Sequence, residues 1–244
     1  MLALAAGLAA RGSPLFDQLK AEYQAKGAVE LVAGDETFPV ASSAGQITGK
    51  NALSSEIDLC LYLFRKEIGK YPKEIFPLMQ LKRVVFCREL AVDSQPRAAV
   101  ADWDHGTLYV EIHSGIYADN HRRKMIHHEI YHLIDFADDG VLGRDPDWVA
   151  LNPPDFFYGG DTKLDQKTTA ATHPSPGFIS TYARLNVAED KAETFASLMV
   201  YDVKVQLLFK QESVLGGKVQ QLKQELAIFC PQLDAAFWVQ AAKF

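Results

Sequence analysis

Cysteine is scarce in this chain. Its 244 residues include three, Cys60, Cys87 and Cys230, and no CxxC pair. That excludes a cysteine zinc ribbon and a dense disulfide framework. One bridge with a free thiol, or three reduced buried thiols, would both fit, so the redox compartment stays open. Basic charge is also short: 25 Lys and Arg stand against 31 Asp and Glu, a net charge of −6. A nucleic-acid partner, which wants a basic surface, is not expected. Nowhere do 18 apolar residues run together, so no integral membrane segment is expected. Internal repeats and low-complexity tracts are missing too. The remaining composition, 48% apolar and 23% charged, is that of an ordinary globular protein, long enough for one large domain or a domain with a helical extension. Nothing in it specifies an oligomeric state.

The first residues, MLALAAGLAARGS, leave two readings open. Leu2 to Ala10 has the apolar core and small residues of a signal peptide but lacks its positively charged start. Residues 1–14 are therefore a signal remnant or a disordered terminus, and a secreted or extracytoplasmic location would follow only from the first.

Residues 15–27 read as an amphipathic helix stopped at Gly27. Residues 28–50, with Gly34, Pro39, Gly45 and Gly49, read as loop with one strand. Asn51 to Ser55 offers capping residues for an apolar helix running to Gly69. LKRVVFCREL (81–90) is rich in strand formers, and residues 98–113 read as two strands around the turn Asp104-His105-Gly106. Asp119-Asn120 is expected to cap a long helix that Gly140 ends. Residues 141–180 are rich in proline and glycine and read as a long ordered loop, a kind that is usually functional. Asn186 caps a further helix, and the tail from 203 reads as amphipathic helix broken near Gly216-Gly217 and Pro231.

Against only seven histidines in the chain, three, His127, His128 and His132, fall within six positions of MIHHEIYHLIDF (125–136). Each helical residue turns about 100°, so His128 and His132 share a face and can aim at one ion. Glu129, at the edge of that face, reaches a water on the ion without ligating it. This is the HExxH arrangement of two zinc ligands and a general base. A catalytic zinc site takes a third protein ligand and keeps a position for water. The metzincin pattern fails, because position 135 is Asp135 and position 138 is Asp138. A glutamate from a second helix is the alternative, and residues 186–202 carry Glu189 and Glu193 on one face beside Ala188, Ala192 and Ala196. One carboxylate would bind zinc and the other would accept the second N–H of a ligand histidine. Spacing alone does not say which does which. Asp135 would hold His132, tie the two helices together, or simply face water.

TYARLNVAEDKAETFASLM (181–199), taken with HExxH and Asp135, resembles the second signature of the anthrax-lethal-factor-like zinc peptidases, a gluzincin group that includes the secreted Pro-Pro endopeptidases. Tyr182, Glu189 and Glu193 match that signature's spacing. The resemblance implies that Glu189 is the third ligand, that Glu193 is the carboxylate behind a ligand histidine, and that Tyr182 points its hydroxyl at the oxyanion. Two positions depart from the pattern. Lys191 stands where the family usually carries an aromatic residue, and Tyr131 where a small one is common. Both lie off the ligand face. In zincins an edge strand aligns the substrate by backbone pairing, and Leu108 to Ile112 is the candidate for it.

The expectation is thus an α+β zincin-like fold with a small mixed β-sheet, an active-site helix and a glutamate helix. Residues 15–80 would form an N-terminal helical part and residues 81–244 the metallopeptidase domain. It would bind one Zn2+ and hydrolyse a peptide or protein substrate, with Glu129 as base. The alternatives are a catalytically silent zincin-fold binding or effector protein, and a structural zinc, which would want a fourth protein ligand that the sequence does not offer. His173 is a candidate for a substrate hydrogen bond. DWVALNPPDFFYGG (147–160) would wall a pocket or form a satellite core under the loop.

Overall fold

Residues 83–92, RVVFCRELAV, set the frame. The computed structural model describes residues 13–53, 56–113, 118–159, 176–200 and 203–241. In chain order the elements are α1 (Pro14–Gly27), β1 (Glu30–Ala33), β2 (Val40–Ser42), β3 (Gly45–Asn51), α2 (Asp58–Ile68), α3 (Ile75–Leu78), β4 (Arg83–Val92), β5 (Gln95–Pro96), β6 (Ala99–Asp102) and β7 (Thr107–Glu111). Then follow α4 (Asp119–Asp139), α5 (Pro146–Ala150), α6 (Val187–Met199), α7 (Val203–Gln211), α8 (Ser213–Phe229) and α9 (Ala235–Ala241), with a 3-10 turn at Tyr182–Arg184 before α6.

β4 is long enough to take different partners at its two ends. Its first half pairs in parallel with β1 on one side and β7 on the other; its second half pairs antiparallel with β3 and β5. The result is a mixed seven-stranded sheet whose main path is β2-β3-β4-β7-β6. Strand side chains alternate between faces. Val84 and Phe86 therefore join the main core with Leu31, Leu108 and Val110, under the helices. Val85 and Cys87 join a smaller cluster on the other face with Val32, Ile47 and Tyr109, packed by Phe38, Val40 and Ala44.

Several expectations change here. Residues 28–50 hold three strands rather than one, and these belong to the same sheet as β4, so the segment 15–80 is not only helical. The glycines mark turns: Gly34 and Gly45 have positive φ and end or begin short strands. Leu108 to Ile112 is not an edge. β7 lies between β4 and β6, and β6 is the strand at the end of the sheet. The cap of α4 is Ala118, without a side-chain hydrogen bond, rather than Asp119 or Asn120. Gly140 does end that helix, in the left-handed region at φ 81°. Gly216 and Gly217 lie inside α8; the tail breaks at Glu212, between α7 and α8, and again around Pro231. All three cysteines are free and buried. Residues 1–12 and His173 lie outside the described residues.

Of the described residues 147–159, Trp148, Phe156 and Tyr158 belong to core, while Val149 and Phe157 are exposed. Trp148 is fully buried in the main cluster, and Phe156 and Tyr158 pack against it with Phe178. None of them lines the large cleft described below. No helix among the described residues is long and apolar enough to cross a membrane.

Candidate metal centre

α4 packs against α6 and under β6. Ala192 and Ala196 are fully buried, and their small side chains let the two helices approach. This contact brings the separated motifs together. Nε2 of His132 lies 3.1 Å from Nε2 of His128. Asn186 accepts the N–H of Glu189 at 2.9 Å, so α6 starts with that glutamate in its first turn. Oε2 of Glu189 then sits 2.9 Å from His128 Nε2 and 3.5 Å from His132 Nε2. A ligand atom from each of the three side chains lies within 4.8 Å of the others. Zinc–nitrogen bonds of about 2.05 Å place tetrahedral ligands about 3.3 Å apart. The observed 2.9, 3.1 and 3.5 Å bracket that edge length, so the donor set fits a zinc ion.

The surrounding charges support one charged state. Burial would raise the Glu189 carboxyl, but His132 and His128 prevail and hold it well below the ordinary range. Burial would lower His128, but Glu189 and Glu193 prevail and raise it to about 10. Glu193 is buried one turn beyond Glu189. Its Oε1 lies 3.1 Å from His128 Nδ1, while its Oε2 accepts from Lys124 at 2.7 Å and from Ser180 at 2.6 Å. Glu193 thus holds the outer nitrogen of one histidine. Nδ1 of His132 has no such partner among the described residues. Asp135 does not supply one: its Oδ2 accepts the Gly143 N–H at 2.6 Å, and its Oδ1 is 3.7 Å from Lys191 Nζ. Of the readings open for Asp135, tying elements together is the one the structure contains. Gly143 has φ 66°, and a Cβ there would lie 2.6 Å from the Ala188 backbone nitrogen, so this loop needs glycine to reach α6.

Glu129 faces the sheet edge. Its Oε2 accepts the Ala101 N–H of β6 at 2.8 Å. Tyr182, on the 3-10 turn, places its ring 5.9 Å from that of His128. Burial of the hydroxyl, then Glu189 and Glu129, raise its pKa above that of free tyrosine, so the hydroxyl stays protonated and can donate. His128, Glu129, His132, Tyr182 and Glu189 all line one cleft of about 500 Å³, which β6 borders through Ala99, Val100 and Ala101. The structure therefore brings His128, Glu129, His132, Tyr182 and Glu189 together, with Glu193 and Asp135 just behind, while His127 turns away to Glu67 and Tyr71.

Three buried ionic clusters were not foreseen. Glu67, Lys70, Arg123 and His127 meet beneath α4. Lys191 pairs with Asp145 at 2.7 Å and Glu225 at 3.1 Å, over the Trp148 ring. Lys218, fully buried, pairs with Asp190 at 2.6 Å and donates to the Gly177 carbonyl at 2.7 Å. The last had a signal in the sequence. Leu215, Lys218, Leu222 and Leu226 form one helical stripe, so a lysine stands at a core position.

No protein-family model matches the chain, and no curated protein matches it in sequence. Among solved structures, a crystal structure of a Bacteroides caccae protein, described as a "putative zinc-binding metallo-peptidase", is similar with a TM-score of 0.60. The two are 15% identical, over 94% of this chain and 90% of that one. At this identity the likeness is one of fold: the chain has a mixed α+β, metallopeptidase-like fold.

Proposed function

We propose that this chain is a zinc-dependent metalloendopeptidase of the gluzincin kind, related to the anthrax-lethal-factor-like enzymes. The observation that carries the reading is the convergence of His128, His132 and Glu189 beside Glu129, in a cleft bordered by β6, the strand at the end of the sheet. His128, His132 and Glu189 would hold one Zn2+, and Glu193 would orient His128 through Nδ1. A bound zinc ion supplies Lewis-acid polarisation of the scissile carbonyl and lowers the pKa of water to about 7. Glu129 takes the proton of the attacking water and passes it to the leaving amine. Tyr182 donates its hydroxyl proton in a hydrogen bond to the developing oxyanion. β6, whose outer edge carries the Ala101 N–H that now holds Glu129, aligns an extended peptide by backbone pairing.

The test uses Glu129→Gln and a broad fluorogenic peptide library, with and without chelator. The parent binds one zinc and cleaves in a chelator-sensitive way. The variant binds the same zinc and loses about 10²- to 10⁴-fold in kcat. Equal cleavage by both would sink the assignment of the base. Stoichiometric zinc without hydrolysis of any peptide would return the chain to the class of silent binding proteins.

A further inference from the structure

The cleft has two chemically different ends. Ala98 O accepts from Glu111 N on β7, so by the alternation of an antiparallel ladder Ala99 and Ala101 turn their backbone groups away from β7. The Ala101 N–H bonded to Glu129 marks the reacting centre along this edge. Beyond the C-terminal end of β6 stands Trp103, its ring 6.3 Å from those of His132 and Phe136. Before the N-terminal end stands Arg97, which lines the same cleft as Tyr182. Arg97 is the only arginine or lysine among the described residues that line the cleft. Every other arginine pair in this part of the sheet is matched: Arg83 with Glu30 and Glu36, Arg88 with Glu56. Among the described residues no carboxylate lies within ion-pair distance of Arg97, whose guanidinium makes one long contact, 3.4 Å, to the Pro96 carbonyl.

We infer that Arg97 is a specificity-determining residue, which binds a carboxylate of the substrate on the leaving-group side of the cleaved bond. The inference rests on the peptidase reading for what "leaving-group side" means. A peptide paired antiparallel to β6 enters with its amino end at Trp103 and runs toward Arg97. Arg97 lies four positions before Ala101, about 13 Å of extended chain. Arg97 therefore stands beside the second to fourth residue after the bond. A guanidinium offers a planar fork that matches a carboxylate, and a half-buried one without a protein partner is set up to receive it. The carboxylate can belong to an Asp or Glu side chain or to a free chain end.

The experiment compares the zinc-loaded parent with Arg97→Gln and Arg97→Glu on peptides that carry Glu, Gln or Lys at the second, third or fourth position after the bond. All are amidated at the C-terminus, and one further peptide ends there as the free acid. The parent favours Glu over Gln about ten-fold in kcat/KM at one of these positions. Arg97→Gln loses the preference, and Arg97→Glu turns it toward Lys. A gain with the free acid alone assigns the carboxylate to the chain end, a gain with Glu assigns it to a side chain, and either supports the site. The same charge preference in parent and variants overturns it.

A second readout needs no turnover. Dye-labelled alanine–leucine nonapeptides, in which one Glu or Gln is moved through the sequence, are titrated by fluorescence anisotropy against zinc-loaded Glu129→Gln and against Glu129→Gln/Arg97→Gln. Tighter binding of a Glu peptide that vanishes with Arg97 supports the site even if the parent cleaves nothing, an outcome that sinks the peptidase reading alone. Cleavage blind to charge, with equal affinities or no binding, sinks the Arg97 inference and leaves the peptidase reading standing.

Discussion

Nδ1 of His128 lies 3.1 Å from Oε1 of Glu193, one helical turn beyond the carboxylate that faces its other nitrogen. The two glutamates of α6 thus grip opposite edges of one imidazole, and their losses should differ. Glu189→Ala removes a donor of the proposed zinc site. Glu193→Ala leaves three donors but frees the ring, a change worth about 10- to 100-fold in metal affinity. Competition titration against a chromophoric chelator should rank Glu189→Ala as the weaker binder. The opposite ranking would exchange the two roles.

Tyr182 is set beside His128 without being part of the donor set. Tyr182→Phe should therefore keep one zinc per chain and a similar KM, while kcat falls by about 10²- to 10³-fold. Loss of zinc in this variant, or an unchanged kcat, would show that the hydroxyl does not act on the oxyanion.

Much of the centre was legible because its information is local. His128 and His132 are four residues apart on one helix, and Asn186 announces the start of the next one. The hairpin of β6 and β7 was legible for the same reason, a turn signal between two apolar runs. What stayed hidden depends on distant partners. β1 and β3 are four and seven residues long in a glycine-rich stretch, and they become strands by pairing with β4, which lies tens of residues away. Which hairpin strand is the edge is decided by the same long-range pairing. Gly216 and Gly217 lower helix propensity, yet the burial of Leu215, Lys218, Leu222 and Leu226 on one stripe outweighs that cost and the helix runs through them. Lys191 is a buried cation held between Asp145 and Glu225, partners 46 and 34 positions away that no local pattern connects to it.

Lys218 is the next test. Its ammonium is buried with Asp190 as its ion-pair partner and rests 3.8 Å from the centre of the Phe178 ring. Burial pushes Asp190 up and Lys218 down, so each charge depends on the other. Removing one partner strands the other. Lys218→Met should cost about 3–5 kcal/mol, read as a lower urea midpoint. Adding Asp190→Asn should restore part of the loss, because the stranded charge is gone. Additive losses in the double variant would mean that the pair is not coupled.

Glu67 gives a prediction in pH. Its carboxylate, fully buried under α4, lies 2.9 Å from His127 Nε2, 2.6 Å from Lys70 Nζ and 2.6 Å from Arg123 Nε. An ionised carboxylate only accepts, so Nε2 of His127 carries the proton, and Nδ1 accepts from the Tyr71 hydroxyl at 2.7 Å. Burial alone would raise Glu67, but the hydrogen bonds from His127, Lys70 and Arg123 prevail and bring it down from 4.5 to about 2. A carboxyl held lower in the folded chain than in the unfolded one stabilises the fold above its unfolded pKa. That contribution disappears as pH falls through the folded value. A shift of this size is worth about 3 kcal/mol at pH 7. In zinc-free protein, the parent should be more stable than Glu67→Gln by about that amount at pH 7. The gap should close as pH drops from 4.5 toward 2, measured by urea unfolding at each pH. A gap that stays constant across this window would mean that Glu67 contributes through packing and not through its charge.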